Sequence, residues 1–124
     1  QHPPGPTTST EVRNWARRTL PEILTRQPRQ DLYDDMDLII TELVSNAVRH
    51  GGGLREAQLA NVGDCLRLTA ADNDPRAPAV RARRAAQPNG RGMHLVQAIA
   101  DQWGVHRHHA EIGKRVWADL RFTT

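Results

Sequence analysis

The sequence has a single cysteine, Cys65, among its 124 residues, and only three tryptophans, one tyrosine and one phenylalanine. One cysteine excludes an internal disulfide, so we expect a reducing, cytoplasmic location. No apolar run approaches the roughly 20 residues that cross a bilayer, and no signal-peptide pattern opens the chain. The scarcity of stacking aromatic residues and the absence of a docking motif argue against direct nucleic-acid binding. These absences favour a soluble protein that contacts neither membranes nor nucleic acids.

The size and charge of the chain set further bounds. A chain of this length fits one domain and can bury roughly two-thirds of the surface of its unfolded form. Its net charge of +3 and isoelectric point near 10.0 make it mildly basic. A basic balance favours an anionic ligand or partner, although the excess here is small.

Prolines mark the ends of the first segments. Residues 1–9 contain three prolines and predict a disordered arm, which leaves residues 10–124 as the folded domain. Thr10 is the expected cap of a first helix, and Pro21 should break or kink that helix near its end.

The rest of the domain alternates helical and extended segments. In order they are a helix over about residues 30–50, two strands over about 55–62 and 65–72, a loop over 73–92, a helix from Gly92 to about Gln102, and two strands over 103–108 and 114–122. Gly63-Asp64 predicts a tight hairpin turn. In the last strand apolar and polar side chains alternate, which indicates one face buried beneath helices. The predicted fold is an α+β two-layer sandwich, a mixed, mostly antiparallel sheet with helices on one face.

The second predicted helix carries a polar group of unusual composition, formed by Glu42, Asn46 and Arg49. At about 100° per residue, Asn46 lies roughly 40° around the helix axis from Glu42, and Arg49 lies roughly 20° to its other side. Apolar residues fill the neighbouring arc. A carboxylate, an amide and a guanidinium at the border of a core suit a cation, a water molecule and phosphates.

A glycine-rich turn, Gly90-Arg91-Gly92, leads directly into the third predicted helix at Met93 and His94. Glycines let the backbone approach a ligand closely, and a helix N-terminus offers unpaired amides and a positive dipole end. The pattern therefore outlines a phosphate-binding loop. A tight loop before an ordinary helix would give the same pattern.

Asp72 ends a predicted core strand and precedes Asn73, Asp74 and Pro75. A carboxylate in this position can accept a hydrogen bond from the exocyclic amine of adenine. A hydrogen bond to a charged group contributes roughly 1.5–3 kcal/mol, enough to discriminate against the carbonyl of guanine. The alternative is turn chemistry alone, since Asp, Asn and Pro all favour turns.

These three motifs, in this order along the chain, resemble the nucleotide-binding motifs of the GHKL (Bergerat-fold) ATPases. The ending over residues 113–120 and the compact size resemble most closely the anti-sigma factor serine-protein kinase branch, with its small actinobacterial ATP-binding regulators. The resemblance covers about residues 10–122.

The resemblance implies a role for each matching residue. Asn46 would bind Mg²⁺ through its side-chain oxygen, and Glu42 would be the general base that accepts a proton from a serine hydroxyl or a water. Arg49 would help to neutralise the phosphates of ATP. Asp72 would bind the adenine, and residues 90–94 would surround the phosphates. Phosphoryl transfer requires mainly positioning and charge neutralisation, which these groups can supply.

The function implied by the resemblance is Mg-ATP-dependent phosphorylation of a serine on an anti-sigma antagonist, with sequestration of a sigma factor. Homodimerisation is left open. One departure from the family pattern favours a different function, that of a non-catalytic partner-binding module with weak or no nucleotide binding. Asp74 stands where the family has glycine and adds a second negative charge near the nucleotide. A threonine common near the last strand is replaced by Arg115 or its neighbour.

Overall fold

A computed structural model describes residues 8–25, 27–50, 53–73, 91–107 and 113–123 of the chain. The elements in these ranges are, in order, α1 (Ser9–Ile23), α2 (Leu32–His50), β1 (Leu54–Val62), β2 (Cys65–Asp72), α3 (Arg91–Ile99), β3 (Gln102–His106) and β4 (Lys114–Arg121). None of the described helices is long and apolar enough to cross a membrane.

Helix α1 begins earlier than the sequence analysis predicted, because Thr8 and not Thr10 is its cap. The backbone N–H of Glu11 donates to the Thr8 hydroxyl at 3.2 Å, and the backbone N–H of Thr8 donates to the Glu11 carboxylate at 3.3 Å. This reciprocal pair requires a carboxylate or amide three residues after the cap. Thr10 has Arg13 at that position, which cannot accept a hydrogen bond.

The four described strands form one sheet in the order β1-β2-β4-β3, and every neighbouring pair in it is antiparallel. The prediction of an α+β fold with helices on one face is confirmed, although no parallel pair occurs among the described strands. Gly63 lies in the β1–β2 turn with a φ of +63°, so the tight hairpin predicted there is also confirmed.

The helices cover one face of the sheet, where the alternate apolar residues of β2 and β4 point. All three helices contribute to a single hydrophobic core. Its fully buried side chains include Leu20, Leu32, Met36, Ile39, Leu66, Met93, Val96, Leu120 and Phe122. The alternation read from the last strand therefore identified the correct buried face.

The opposite face of the sheet is covered by its own polar side chains. Arg67 on β2 donates to both carboxylate oxygens of Asp119 on β4, at 2.7 and 2.9 Å. The guanidinium of Arg67 also lies 4.2 Å from the centre of the Trp117 ring. The Trp117 ring lies so close to Gly104 on β3 that a Cβ there would approach it to 2.7 Å. This packing leaves Asp119 only 4% exposed on a face that none of the described helices covers.

One end of the sheet, the Asp72 end, is defined by Asp72 at the end of β2. Asp72 lies opposite Lys114 on β4 and opposite Leu54 on β1. The C-terminal part of α2 reaches this end, since the N–H of Gly53 donates to the carbonyl of Ala47 at 3.0 Å immediately before Leu54.

Helix α3 ends near the end of the sheet opposite Asp72. After α3 the N–H of Asp101 donates to the carbonyl of Asp119 at 2.9 Å, and β3 begins there beside Asp119. Because α3 also packs against α2 and β3, we expect its N-terminus to lie on the side of the Asp72 end. The end of α2 and the end of β2 lie at this end of the sheet.

Gly113 allows β4 to approach β2 at the Asp72 end. A Cβ at this position would lie 1.7 Å from the backbone carbonyl oxygen of Asp72. We expect Gly113→Ala to lower the free energy of unfolding by about 2 kcal/mol or more, because backbone atoms must move to accept the methyl group. Chemical denaturation measures this loss.

The control is Gly63→Asn, a change in a turn where nothing lies within 4 Å of the added Cβ. Asparagine tolerates the positive φ of Gly63, so its cost should be below about 1 kcal/mol. Equal losses for the two variants would show that the contact of Gly113 with β2 carries no special constraint.

Candidate functional site

Helix α2 presents the predicted polar group at the border of the core. Leu43 and Ala47 are 3% and 2% exposed and pack in the core. Glu42 and Asn46 are half-buried beside them, and Arg49 is exposed. The helical spacing that defines the buried arc therefore also fixes the position of the polar group relative to the core.

Burial raises the pKa of Glu42 above the usual range for a glutamate, and the positive charge of Arg49 partly opposes this shift. Desolvation has this effect because it disfavours the charged form of the carboxyl group. A carboxylate with a raised pKa is a stronger base. Glu42 therefore has the property expected of a general base.

The raised pKa of Glu42 also predicts a pH-dependent stability effect. The folded protein binds this proton more tightly than the unfolded chain, so the ionised group disfavours folding once the pH exceeds its ordinary pKa. We expect Glu42→Gln to raise the melting temperature at neutral pH and to leave it unchanged at a pH below the ordinary pKa of glutamate. Thermal unfolding across this pH range measures the difference. A variant less stable than the parent at neutral pH would contradict the burial argument.

Asp72 is 1% exposed and is held by a residue that the sequence analysis did not single out. The Lys114 ammonium lies 3.0 Å from one carboxylate oxygen of Asp72 and donates to the other at 3.1 Å. Lys114 is itself only 2% exposed. The sequence did contain a signal for this position, since Lys114 lies two and four residues before the buried residues Val116 and Ala118. Alternate residues of a strand face the same side of the sheet. Strand alternation alone therefore directs its side chain to the helix-covered face.

The start of α3 divides the predicted phosphate-binding residues into different environments. Gly90 lies outside the described residues, and only the backbone of Arg91 and Gly92 is described, as the first turn of the helix. Met93 is 1% exposed and belongs to the core, so only its backbone is suited to contact a ligand. His94 is half-buried, and its Nε2 is one of three buried side-chain atoms in the described part of the chain that have no hydrogen-bond partner.

The orphaned Nε2 of His94 is an observation that a bound ligand would explain. Buried nitrogen atoms are almost always hydrogen-bonded, because an unsatisfied polar atom costs free energy. His94 belongs to the first turn of α3, and a helix N-terminus offers unpaired backbone amides to an anion. A phosphate oxygen there would satisfy both the imidazole and the amides.

The structure places several of the predicted residues near one end of the sheet. Asp72 meets Lys114 directly. Asn46 and Arg49 lie in the last turns of α2, which the bond from Gly53 to Ala47 holds near the Asp72 end. His94 lies in the first turn of α3, whose N-terminus we expect to lie on that side. Asp74 lies outside the described residues, so its predicted effect on the site stays a prediction.

A cation site of the kind predicted at Asn46 would not need a cluster of protein ligands. Among the residues that the structure describes, no group of three or more His, Cys, Asp or Glu side chains is placed to hold a metal ion. Mg²⁺ usually keeps several waters and binds through one or two protein oxygens together with substrate phosphates. The amide oxygen of Asn46 is a donor of the preferred kind.

Comparisons with known proteins agree with the described fold. Residues 5–120 match the family described as the histidine kinase-like ATPase domain. Among solved structures, the catalytic domain of the histidine kinase ThkA, in a nucleotide-free form, superimposes with a TM-score of 0.56. The two chains are 14% identical, and the match covers 74% of this chain and 68% of that one. A search of curated proteins found none with significant similarity. Since the family match spans nearly the whole sequence, the chain belongs to the histidine kinase-like ATPase domain family.

Proposed function

We propose that the protein is an ATP-binding regulator of the anti-sigma factor type, which transfers the γ-phosphoryl group of Mg-ATP to a serine of an antagonist protein and sequesters a sigma factor. Family membership supports ATP binding. The observation that carries the catalytic part is Glu42, a half-buried carboxylate with a raised pKa one helical turn from Asn46. A site that only binds nucleotide has no need of a base there.

The residues present fit an ATP complex with Mg²⁺. Asn46 offers an oxygen donor for the ion, which would neutralise charge on the phosphates when bound. His94 offers a buried nitrogen that lacks a partner, and α3 offers its N-terminal amides. Arg49, exposed at the end of α2, adds a positive charge that can meet the phosphates.

In the proposed reaction Glu42 accepts the proton of the serine hydroxyl as its oxygen attacks the γ-phosphorus. The bond between that phosphorus and the bridging oxygen breaks, and ADP leaves with the bonding electron pair. The products are phosphoserine, ADP and a proton, which Glu42 releases to water. The protein contributes a base, positioning and charge neutralisation, the main requirements of phosphoryl transfer.

Calorimetric titration with Mg-ATP tests the binding step. We expect saturable binding to the parent protein, weakened at least tenfold by Asn46→Ala, because a lost hydrogen bond or ligand to a charged group costs about 1.5 kcal/mol or more. Asn61→Ala is the matched control, since Asn61 is an exposed asparagine at the other end of β1. Absence of binding, or equal affinities for all three proteins, would contradict the proposal.

His94 gives a second prediction for the same titration. If its buried Nε2 binds a phosphate, His94→Ala should weaken Mg-ATP binding about ten- to hundredfold. The substitution removes the Nε2 atom, which has no hydrogen-bond partner in the described structure. Gln97→Ala, an exposed change on the same helix, should leave the affinity unaltered. An unaltered affinity in His94→Ala would place the phosphates elsewhere.

One observation favours a second function, that of a partner-binding module with weak or no nucleotide binding. Both carboxylate oxygens of Asp72 are engaged by Lys114, so the group expected to bind adenine is already neutralised. The calorimetric titration separates the two functions. Failure to bind Mg-ATP at millimolar concentration would leave the partner-binding function.

A further inference from the structure

We infer that Lys114 determines base specificity at the proposed purine-binding position beside Asp72, and that its ion pair with Asp72 makes the protein tolerate guanine as well as adenine. The inference rests on the proposed nucleotide-binding function. It concerns the base that is accepted, whereas the proposed function concerns whether a nucleotide is bound and used.

The Asp72–Lys114 ion pair is positioned by the pairing of β2 with β4. Asp72 and Lys114 lie directly opposite each other on β2 and β4, on the face that the helices cover. The Lys114 ammonium lies 3.0 and 3.1 Å from the two oxygens of the carboxylate. The close approach of Gly113 to the Asp72 backbone fixes the separation of the two strands at this point. Lys114 is also the only lysine in the sequence.

A lone carboxylate discriminates between purines because it only accepts hydrogen bonds. The exocyclic amine of adenine donates, whereas the corresponding carbonyl oxygen of guanine accepts and is repelled. A charge-assisted hydrogen bond at such a position distinguishes the two bases by about ten- to hundredfold.

The Asp72–Lys114 pair changes this logic, because it presents an ammonium donor beside a carboxylate acceptor and carries no net charge. Adenine can donate its amine to Asp72. Guanine can accept at its carbonyl from Lys114 and donate its ring N–H to Asp72. In addition, neutralisation by Lys114 weakens the attraction of the carboxylate for the adenine amine. Discrimination between the two purines is therefore reduced, because guanine gains a favourable contact and adenine binds less tightly.

Calorimetry with Mg-ATP and Mg-GTP tests this inference on the unaltered protein. We expect the affinities for Mg-ATP and Mg-GTP to differ by less than about tenfold, which is the smallest discrimination expected of a lone carboxylate. In Lys114→Thr, which keeps a small polar side chain and removes the ammonium, the preference for ATP should rise at least about tenfold. The inference would be overturned if the parent preferred ATP to GTP by more than about tenfold. It would also be overturned if a folded Lys114→Thr had the same ratio of ATP to GTP affinity as the parent. Either result would leave the proposed function intact. Binding of neither nucleotide would overturn both.

A second measurement needs no variant. Lysine labelled with ¹³C at Cε gives one side-chain NMR signal, because the chain has one lysine. At concentrations where calorimetry shows binding, both Mg-ATP and Mg-GTP should shift this signal. A signal that stays in place in either saturated complex would show that the ammonium does not meet that base and would overturn the inference.

Discussion

Glu42→Gln is expected to lower the rate of phosphoryl transfer to a serine substrate about 100- to 10,000-fold, the range that a general base contributes. Mg-ATP affinity should change by less than about threefold, because glutamine keeps the shape and polarity of the side chain and only the base is lost. The measurement is transfer of labelled phosphate from ATP to a candidate antagonist protein, in parallel with calorimetric titration.

Glu22→Gln provides the matched control for that experiment. Glu22 is exposed near the end of α1, and the substitution makes the same chemical change outside the candidate site. Its transfer rate and affinity should equal those of the parent. Label transfer that persists at the parental rate in Glu42→Gln would reject Glu42 as the base.

The pKa of Glu42 adds a condition to this result. Since burial raises the pKa of the carboxyl group, the parent should lose activity as the pH falls through this raised value, where the base becomes protonated. The loss should begin at a higher pH than an ordinary glutamate would give. Thermal unfolding of the parent over the same pH range shows whether a loss of activity reflects protonation of the base or loss of the fold.

Lys114→Met is expected to lower the free energy of unfolding by about 3–5 kcal/mol, the largest effect on stability that we predict. Removing one member of a buried ion pair leaves the other charge in a poorly solvated place. Asp72 and Lys114 are each no more than 2% exposed, so water cannot readily replace the lost partner. Chemical denaturation, followed by circular dichroism, measures the loss.

Two further variants isolate the effect of burial. Arg17→Met breaks the ion pair of Arg17 with Asp37. Its 2.7 Å separation is shorter than that of the buried pair, but the arginine side chain is 43% exposed. An exposed pair of this kind should contribute less than about 1 kcal/mol. Joint replacement by Asp72→Leu and Lys114→Met should recover most of the loss, since both charges of the pair are removed. Similar losses in Lys114→Met and Arg17→Met would contradict the burial argument.

The two predictions constrain each other. Glu42 faces the border of the core and its ionisation disfavours folding, whereas the Asp72–Lys114 pair has each charge neutralised by the other. A charged group that disfavours folding without an evident structural gain is what a catalytic role would explain. The ion pair has a structural effect whether or not a nucleotide binds. Stability data therefore separate a functional carboxylate from a structural one.

Local patterns in the sequence were sufficient for most of the fold. The apolar residues of α2 recur at helical spacing, Gly63 supplies the positive φ of the hairpin turn, and the alternation in β4 marks its buried face. Each of these signals depends on neighbours within a few residues, which is why they could be read directly. The same local spacing located Glu42 and Asn46 at the border of the core.

The cap of α1 was also predictable locally but was assigned to the wrong residue. The pattern Thr8-x-x-Glu11 carries the signature of a reciprocal cap, whereas Thr10 is followed three residues later by Arg13. The prolines within residues 1–9 led to a predicted helix start that lies after the observed one. The residue three positions after each candidate cap would have decided between them.

The contacts that shape the candidate site could not be predicted, because they depend on pairing between distant strands. Asp72 meets Lys114 only because β2 and β4 are neighbours in the sheet order β1-β2-β4-β3 with this register. A shift of one residue would move Lys114 to the other face. The stacking of Arg67 on Trp117 depends on the same pairing.

The central claim, that the Asp72 end of the sheet binds a nucleotide between α2 and α3, is tested most directly by NMR. Mg-ATP is titrated into ¹⁵N-labelled protein, and the backbone amide signals are followed. We predict that the largest shifts occur at Asn46, Asp72 and His94, and that the amides of Gly63 and Asp101 stay in place. Shifts concentrated at Gly63 and Asp101, or no shifts at saturating Mg-ATP, would contradict the claim.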